Sequence, residues 1–238
     1  MAETELDGHR RAFNRAFADA GLACRWDRST YQQLLAVTGG RERMAHYFTQ
    51  AEGCAPTPER LEALQTAKQH HYQQLVAAGA LQLRPGVARL MHQAAAAGWR
   101  QAIVTTSGRS AVTALLDRLL PDHPQLLQLW ICGEDVAAKK PDPEAYRLAL
   151  AQWRQPPGAA IAVEDSGPGL AAASAAGLPV LVTRSSASQH EPLQQFAAAA
   201  AVVDQLGEPE QPCRWLQGRP CPRGHVTLSY LEQLLEQR

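Results

Sequence analysis

The chain has 238 residues, 45% of them hydrophobic and 19% charged. That is enough apolar material for one large or two small domains and too little charge for a disordered polar chain. Lys plus Arg equals Asp plus Glu, at 23 each, so no global field draws the protein to nucleic acid or acidic membranes, and any anion site must be a local cluster. Aromatic residues make up 6%, with no basic-aromatic stripe of the kind that stacks single strands. The opening MAETELDGHR has no apolar signal-peptide core, and no run approaches the ~20 apolar residues of a membrane span. The five cysteines are odd in number and form no C-x-x-C, so reduced thiols and a cytoplasmic setting are expected.

Residues 5–80 read as helical throughout. Phe13, Ala16, Phe17 and Ala20 predict a helix over 7–19, ended at Gly21. Further helices are expected over 29–37, stopped by Thr38-Gly39-Gly40, and over 41–49. Thr57-Pro58 is a cap with proline at the first helical position. It opens a helix that carries Leu61, Leu64, Lys68, Tyr72 and Leu75 on one stripe. A lysine there either snorkels to water or serves a site. After Arg84-Pro85-Gly86 the period changes. Strands are expected over 102–104, 127–132, 159–163 and 179–182, alternating with helices over 112–120, 143–153 and 169–176. Such alternation predicts a parallel sheet covered by helices, with ligands beyond the carboxyl ends of the strands. Residues 197–203 are expected as a short last strand, 208–224 as a Pro- and Gly-rich loop, and 227–236 as a closing helix.

Polar residues stand at those strand ends. Thr105-Thr106-Ser107-Gly108 is either a phosphate-holding turn or a helix-capping turn. Lys140, just before Pro141, is held extended and either aims its ammonium at a site or belongs to a solvated Lys139–Lys140 pair. Glu164-Asp165 is a repelling acid pair, suited to Mg²⁺ or to a helix N-cap.

Taken together, a hydroxyl, a lysine and an acid pair stand at three successive strand ends. TTS at 105–107, GEDVAAKKPDPEAY at 133–146 and AVEDSGPGLAAASAAGLPVLVT at 162–183 resemble motifs II, III and IV of the haloacid-dehalogenase superfamily. The closer resemblance is to its CbbY-like sugar-phosphate phosphatases, relatives of β-phosphoglucomutase. AETELDGHRRAFNRAFADAGL at 2–22, QLLAVTGGRER at 33–43 and LRPGV at 83–87 extend it to the helical region. The resemblance implies an α/β fold: a Rossmann-like parallel core (81–238) under an all-helical cap (5–80). It implies Mg²⁺ held by Asp165 with Glu164 nearby, Thr105 and the Thr106 N–H on the phosphoryl oxygens, and Lys140 neutralising charge. Gly40, Arg41 and Lys68 would hold the far end of a sugar phosphate, with His9 touching it or lying on a helix surface. The implied reaction is phosphate-ester hydrolysis through an aspartyl phosphate, on a pentose bisphosphate such as xylulose 1,5-bisphosphate, by a monomer.

The chain departs from the family at the first motif, a strand ending in Asp-x-Asp-Gly-Thr whose first Asp is the nucleophile. No Asp-x-Asp occurs anywhere in it. The expectation is a misplaced start: about a dozen upstream residues, a ~5–6-residue strand with its loop, would restore the motif. Without that strand two sheet edges would be exposed. The alternatives are a phosphomutase of the β-phosphoglucomutase type and an inactive sugar-phosphate-binding protein.

Overall fold

The computed structural model describes residues 1–236. A π-helical turn, Glu5–His9, leads into α1 (Arg10–Asp19), followed by α2 (Arg28–Leu34), α3 (Gly40–Glu52) and α4 (Pro58–Ala77). Two of these helices start where a side chain takes an orphan N–H. Asp27 accepts from the Thr30 N–H, and Thr57 from the Arg60 N–H. The apolar face of α1 buries Phe13 and Phe17 against Trp26, Tyr31, Met44 and Phe48. α2 ends at Leu34 rather than at the expected Val37. The Leu34 carbonyl instead accepts from the Arg43 guanidinium at 3.0 Å and from the Val37 N–H in a tightened last turn.

The second region contains β1 (Ala102–Val104), β2 (Leu129–Ile131), β3 (Ala162–Glu164), β4 (Val180–Thr183), β5 (Ala201–Val203) and β6 (Trp215–Gly218). Between and around them run α5 (Val87–Ala96), α6 (Arg109–Leu119), the single turn α7 (His123–Leu126), α8 (Glu144–Trp153), α9 (Gly167–Ala175) and α10 (Leu228–Leu235). β1 pairs parallel with β2; β3, β4 and β5 are parallel neighbours. Leu181, Val182 and Ala201–Val203 are fully buried, the continuous apolar run of strands covered on both faces. Two expectations are corrected. Residues 157–159 form a 3₁₀ turn and the strand starts only at Ala162. The segment 208–224 is not all loop: β6 adds an antiparallel edge to β5. Gly218, at φ +75°, lies so close to Ala200 and Ala201 that a side chain would clash there.

The sheet is interrupted. β1 and β3 each pair on one side only. Between their facing edges runs a cavity of about 1160 Å³, walled by Ala102–Thr105 on one side and by Ile161–Asp165 on the other. Val87, Leu90 and Met91 of α5 close it on one face, and Tyr146, Ala149 and Leu150 of α8 on the other. α8 bridges the gap: Tyr146 and Leu150 pack on the β3–β4 side, Ala145 and Ala149 against Ile131 of β2. The helical segment is seated over the strand ends. Tyr72, Leu75 and Val76 of α4 share one apolar cluster with Ala111, Leu115 and Leu119 of α6. Among the described residues, no helix is long and apolar enough to cross a membrane.

Candidate active site

Three strand ends converge on the mouth of this slot. Thr105, Thr106 and Ser107 leave β1, Lys140 arrives from the loop after β2, and Glu164-Asp165 ends β3; all of them line the cavity. Thr105 Oγ1 accepts from the Ser107 N–H at 3.1 Å, which leaves its O–H free to donate. The turn does not cap α6 through its side chains. That role falls to Glu134, which accepts from the Arg109 N–H at 2.8 Å. Gly133 lets the next loop pass against Thr106, since a side chain there would strike the Thr106 carbonyl.

The two lysines part company. Lys140 is 8% exposed and Glu164 7%. Lys140 Nζ donates to the Val104 carbonyl at 2.8 Å and to Glu164 Oε1 at 2.5 Å, so it joins both rims of the slot. The Tyr146 hydroxyl also donates to Glu164 Oε1. Burial, then the neighbouring Glu164 charge, push the Tyr146 hydroxyl well above its usual range, so it stays a donor. Lys139 instead reaches outward to Glu42 at the start of α3, at 2.5 Å.

The acid pair divides as well, because successive residues of a strand face opposite ways. Glu164 accepts from Lys140 and Tyr146, both on Oε1. Neither acid caps α9; Ser166 does, accepting from the Gly169 N–H. Asp165 lines the slot, and its ion-pair partner among the described residues is the Met1 amine at 3.9 Å. A hard cation takes one or two carboxylates and fills its remaining positions with water or phosphate oxygen. Asp165 fits as one such donor. Among the described residues no group of three or more His, Cys, Asp or Glu is placed to complete a site, so further donors must come from whatever occupies the slot or from ligand. Glu191 also lines the cavity, and burial raises its carboxyl, with Asp165 adding to the shift against Arg184.

Under the helical segment lies a second polar cluster. The π-helical turn, closed by the His9 N–H donating to the Thr4 carbonyl at 2.7 Å, directs both Glu5 and His9 to the cavity. Such one-residue wideners recur at functional sites. Glu5 accepts from the Tyr31 hydroxyl at 2.7 Å and lies 3.8 Å from Arg43, whose guanidinium also donates to Tyr31 at 2.9 Å. His9 stacks on Tyr72 at 4.2 Å, so it is no surface histidine. Burial, then Lys68 and Arg43, hold His9 well below its usual range, and its ring is neutral at pH 7. Lys68 does not snorkel: it is 5% exposed, with its Nζ over the Phe13 and Tyr72 rings and 3.3 Å from Gln69 Oε1. Burial brings its ammonium down to about 8, against the pull of Glu5. It has no carboxylate partner among the described residues.

Arg41 is not part of this cluster. Its side chain is 47% exposed, pairs with Glu62 at 3.1 Å and does not line the cavity. Arg43, two residues on, does line the cavity. Gly40 starts α3 against Phe13 and Gln65, where a side chain would be crowded. Arg43, Tyr31 and Tyr146 escape a sequence reading, because each is an ordinary helical position until packing turns it inward.

The comparisons with known proteins agree with this layout. The haloacid dehalogenase-like hydrolase family model matches residues 2–177. Protein CbbY of Cereibacter sphaeroides is 41% identical over 210 residues, 87% of this chain and 89% of that protein. The plasmid-borne CbbY of Cupriavidus necator is 40% identical, covering 89% of this chain and 84% of that protein. A crystal structure of a CbbY variant from Rhodobacter sphaeroides in complex with xylulose-(1,5)bisphosphate superposes with a TM-score of 0.81 at 40% identity, over 88% of this chain and 91% of that one. A parallel sheet carrying a hydroxyl, a lysine and a carboxylate at its strand ends, together with these matches, places the chain among the haloacid dehalogenase-like hydrolases, in their CbbY-like group of sugar-phosphate phosphatases.

Proposed function

We propose that the protein hydrolyses a phosphate ester of a pentose bisphosphate, xylulose 1,5-bisphosphate being the leading candidate, with Mg²⁺ held by Asp165. The reading rests on one observation above all: Thr105, Lys140 and Asp165 meet at the mouth of the slot between the unpaired edges of β1 and β3. A strand seated between β1 and β3 would emerge among them, and a carboxylate at its end would stand where a nucleophile is needed. In the cap-and-core division proposed here, residues 5–80 form the cap and 81–238 the core.

The roles of the chain's own residues follow from their contacts. A carboxylate attacking phosphorus expels the sugar oxygen and forms an acyl phosphate, which water then cleaves. Charge on the equatorial oxygens must be met by donors already in place. The Thr105 O–H supplies one, its own oxygen being oriented by Ser107. Lys140, which donates to Val104 and Glu164 and lines the slot, brings its positive charge to the phosphoryl group; Glu164 and Tyr146 position it. Mg²⁺, when bound at Asp165, offsets the repulsion between an attacking carboxylate and the phosphate. At the other end, Arg43 and Lys68, which has no carboxylate partner among the described residues, form the positive cluster suited to a distal phosphate. Neutral His9 and Glu5 are placed for sugar hydroxyls. The Lys139–Glu42 pair and the α4–α6 contact hold the cap down, which keeps water from the phosphoryl group except where it is used.

The test is phosphate release from xylulose 1,5-bisphosphate by two forms of the protein. One is the chain itself. The other carries, ahead of Met1, an apolar strand ending in Asp-x-Asp-Gly-Thr. Mg²⁺-dependent release by the second form alone, lost with Asp165→Asn, is the expected result. Release unaffected by Asp165→Asn would refute the metal assignment. Isomerisation of glucose 1-phosphate without net release would favour the mutase.

A further inference from the structure

The segment after β5 holds two thiols that the reaction does not use. Cys213 and Cys221 lie on either side of β6, outside the stretch matched by the family model. Their sulfurs are 4.0 Å apart. Both are buried, in an apolar cluster with Val203, Leu206, Val226 and Tyr230. The backbone around them is pinned. The Cys213 N–H donates to the Gly224 carbonyl, the Arg219 N–H to Ala200 and the Tyr230 hydroxyl to the Arg219 carbonyl. Glu208, in the same segment, accepts from the Gly86 N–H at 2.8 Å and from Arg89 at 3.0 Å. The two cysteines are thus presented to each other by a hairpin that is itself tied to the start of α5. The two sulfurs have to close from 4.0 Å to a bond of ~2.05 Å. Cys24, Cys54 and Cys132 are free thiols with no comparable partner among the described residues.

We propose that Cys213 and Cys221 form a reversible disulfide that closes a short loop around β6. The Cys213 thiol donates to the Cys221 sulfur. That bond, with the Arg89 charge behind it, holds the Cys221 thiol below its ordinary range, while the same contact and burial push Cys213 up. Cys221 is therefore the attacking sulfur. With a glutathione-type disulfide as oxidant, the Cys221 thiolate attacks one of its sulfurs, forming a mixed disulfide and expelling one glutathione thiolate. Cys213 then loses its proton and attacks Cys221 Sγ, releasing the second glutathione. Two protein thiols and one small disulfide become one protein disulfide and two small thiols.

The experiment uses the full chain incubated with oxidised glutathione, alkylated and digested with trypsin. Cleavage at Arg184, Arg214 and Arg223 leaves Cys213 in 185–214 and Cys221 in 215–223, because Arg219 precedes Pro220. The expected product is these two peptides as one linked species, two hydrogens lighter than the pair and split by dithiothreitol. The linked protein melts a few degrees higher. Cys213→Ala traps a glutathione adduct on Cys221, and Cys221→Ser shows neither the link nor the rise in Tm. Alkylation of both cysteines, a lasting adduct on Cys221 in the unsubstituted chain, or a link to Cys24, Cys54 or Cys132 would overturn the proposal.

Discussion

Removing Lys140 tests how the core is held across its interrupted sheet. Lys140→Met keeps the length of the side chain and deletes the ammonium. Glu164, 7% exposed, then keeps only the Tyr146 hydroxyl, and the Val104 carbonyl on the opposite rim loses its donor. Breaking one side of a buried pair typically costs ~3–5 kcal/mol, because a desolvated charge is left uncompensated. That is a large share of the ~5–15 kcal/mol available to a domain, and at ~2–4 °C per kcal/mol it lowers Tm by roughly 6–20 °C. Urea unfolding followed by tryptophan fluorescence and far-ultraviolet circular dichroism measures it. Lys140→Met/Glu164→Leu should recover much of the loss, since no unpaired charge remains; Tyr146 then lacks its acceptor, so recovery is incomplete. A single-variant loss below ~1 kcal/mol, the level of an exposed pair, or a double variant as unstable as the sum of the singles, would refute this account of the pair.

Arg43→Ala should weaken binding of a sugar bisphosphate by roughly 10- to 150-fold, the worth of a charge-assisted contact of ~1.5–3 kcal/mol. Arg41→Ala should leave it nearly unchanged; titration calorimetry with the bisphosphate and the corresponding monophosphate separates the two positions. Lys68 titrates near 8 in the folded protein and near ~10.4 when unfolded. The unfolded chain therefore binds more protons between these values, and stability rises with pH from about 8 to about 10.4, by on the order of 1–3 kcal/mol. Lys68→Met should flatten that rise in urea titrations at several pH values, and bisphosphate affinity of the unsubstituted protein should fall as pH passes 8. Gly169→Ala should destabilise by ~1–3 kcal/mol, because its methyl group would displace the Glu164 carboxylate from Lys140; a melting temperature equal to that of the unsubstituted chain would contradict the packing described.

The sequence by itself determined the periodic parts and the order of the chemistry. β1 runs over the residues expected, 102–104, and α4 starts at its predicted cap, because both are set by local rules: apolar runs between breakers, and a side chain that satisfies the first N–H groups. The α/β fold and the succession Thr105, Lys140, Asp165 were legible for the same reason, since strand ends are marked in the sequence by a change from apolar to polar; the family was legible only through the resemblance of its motif strings. Tertiary structure alone decided which way the charged side chains face. Nothing local distinguishes Glu164 from Asp165 or Arg41 from Arg43. Glu164 turns inward because Lys140 and Tyr146 reach it from positions 24 and 18 residues away. Arg43 turns inward because Tyr31 and Leu34 of α2 offer it acceptors, whereas Arg41 finds only Glu62 on the outer surface. β6 was hidden in a Pro- and Gly-rich stretch, because an edge strand draws its stability from the neighbouring β5 rather than from its own pattern. Burial decides the rest: a charge in water is indifferent to its neighbours, while one removed from water must find a partner, and only the folded chain shows where that partner lies.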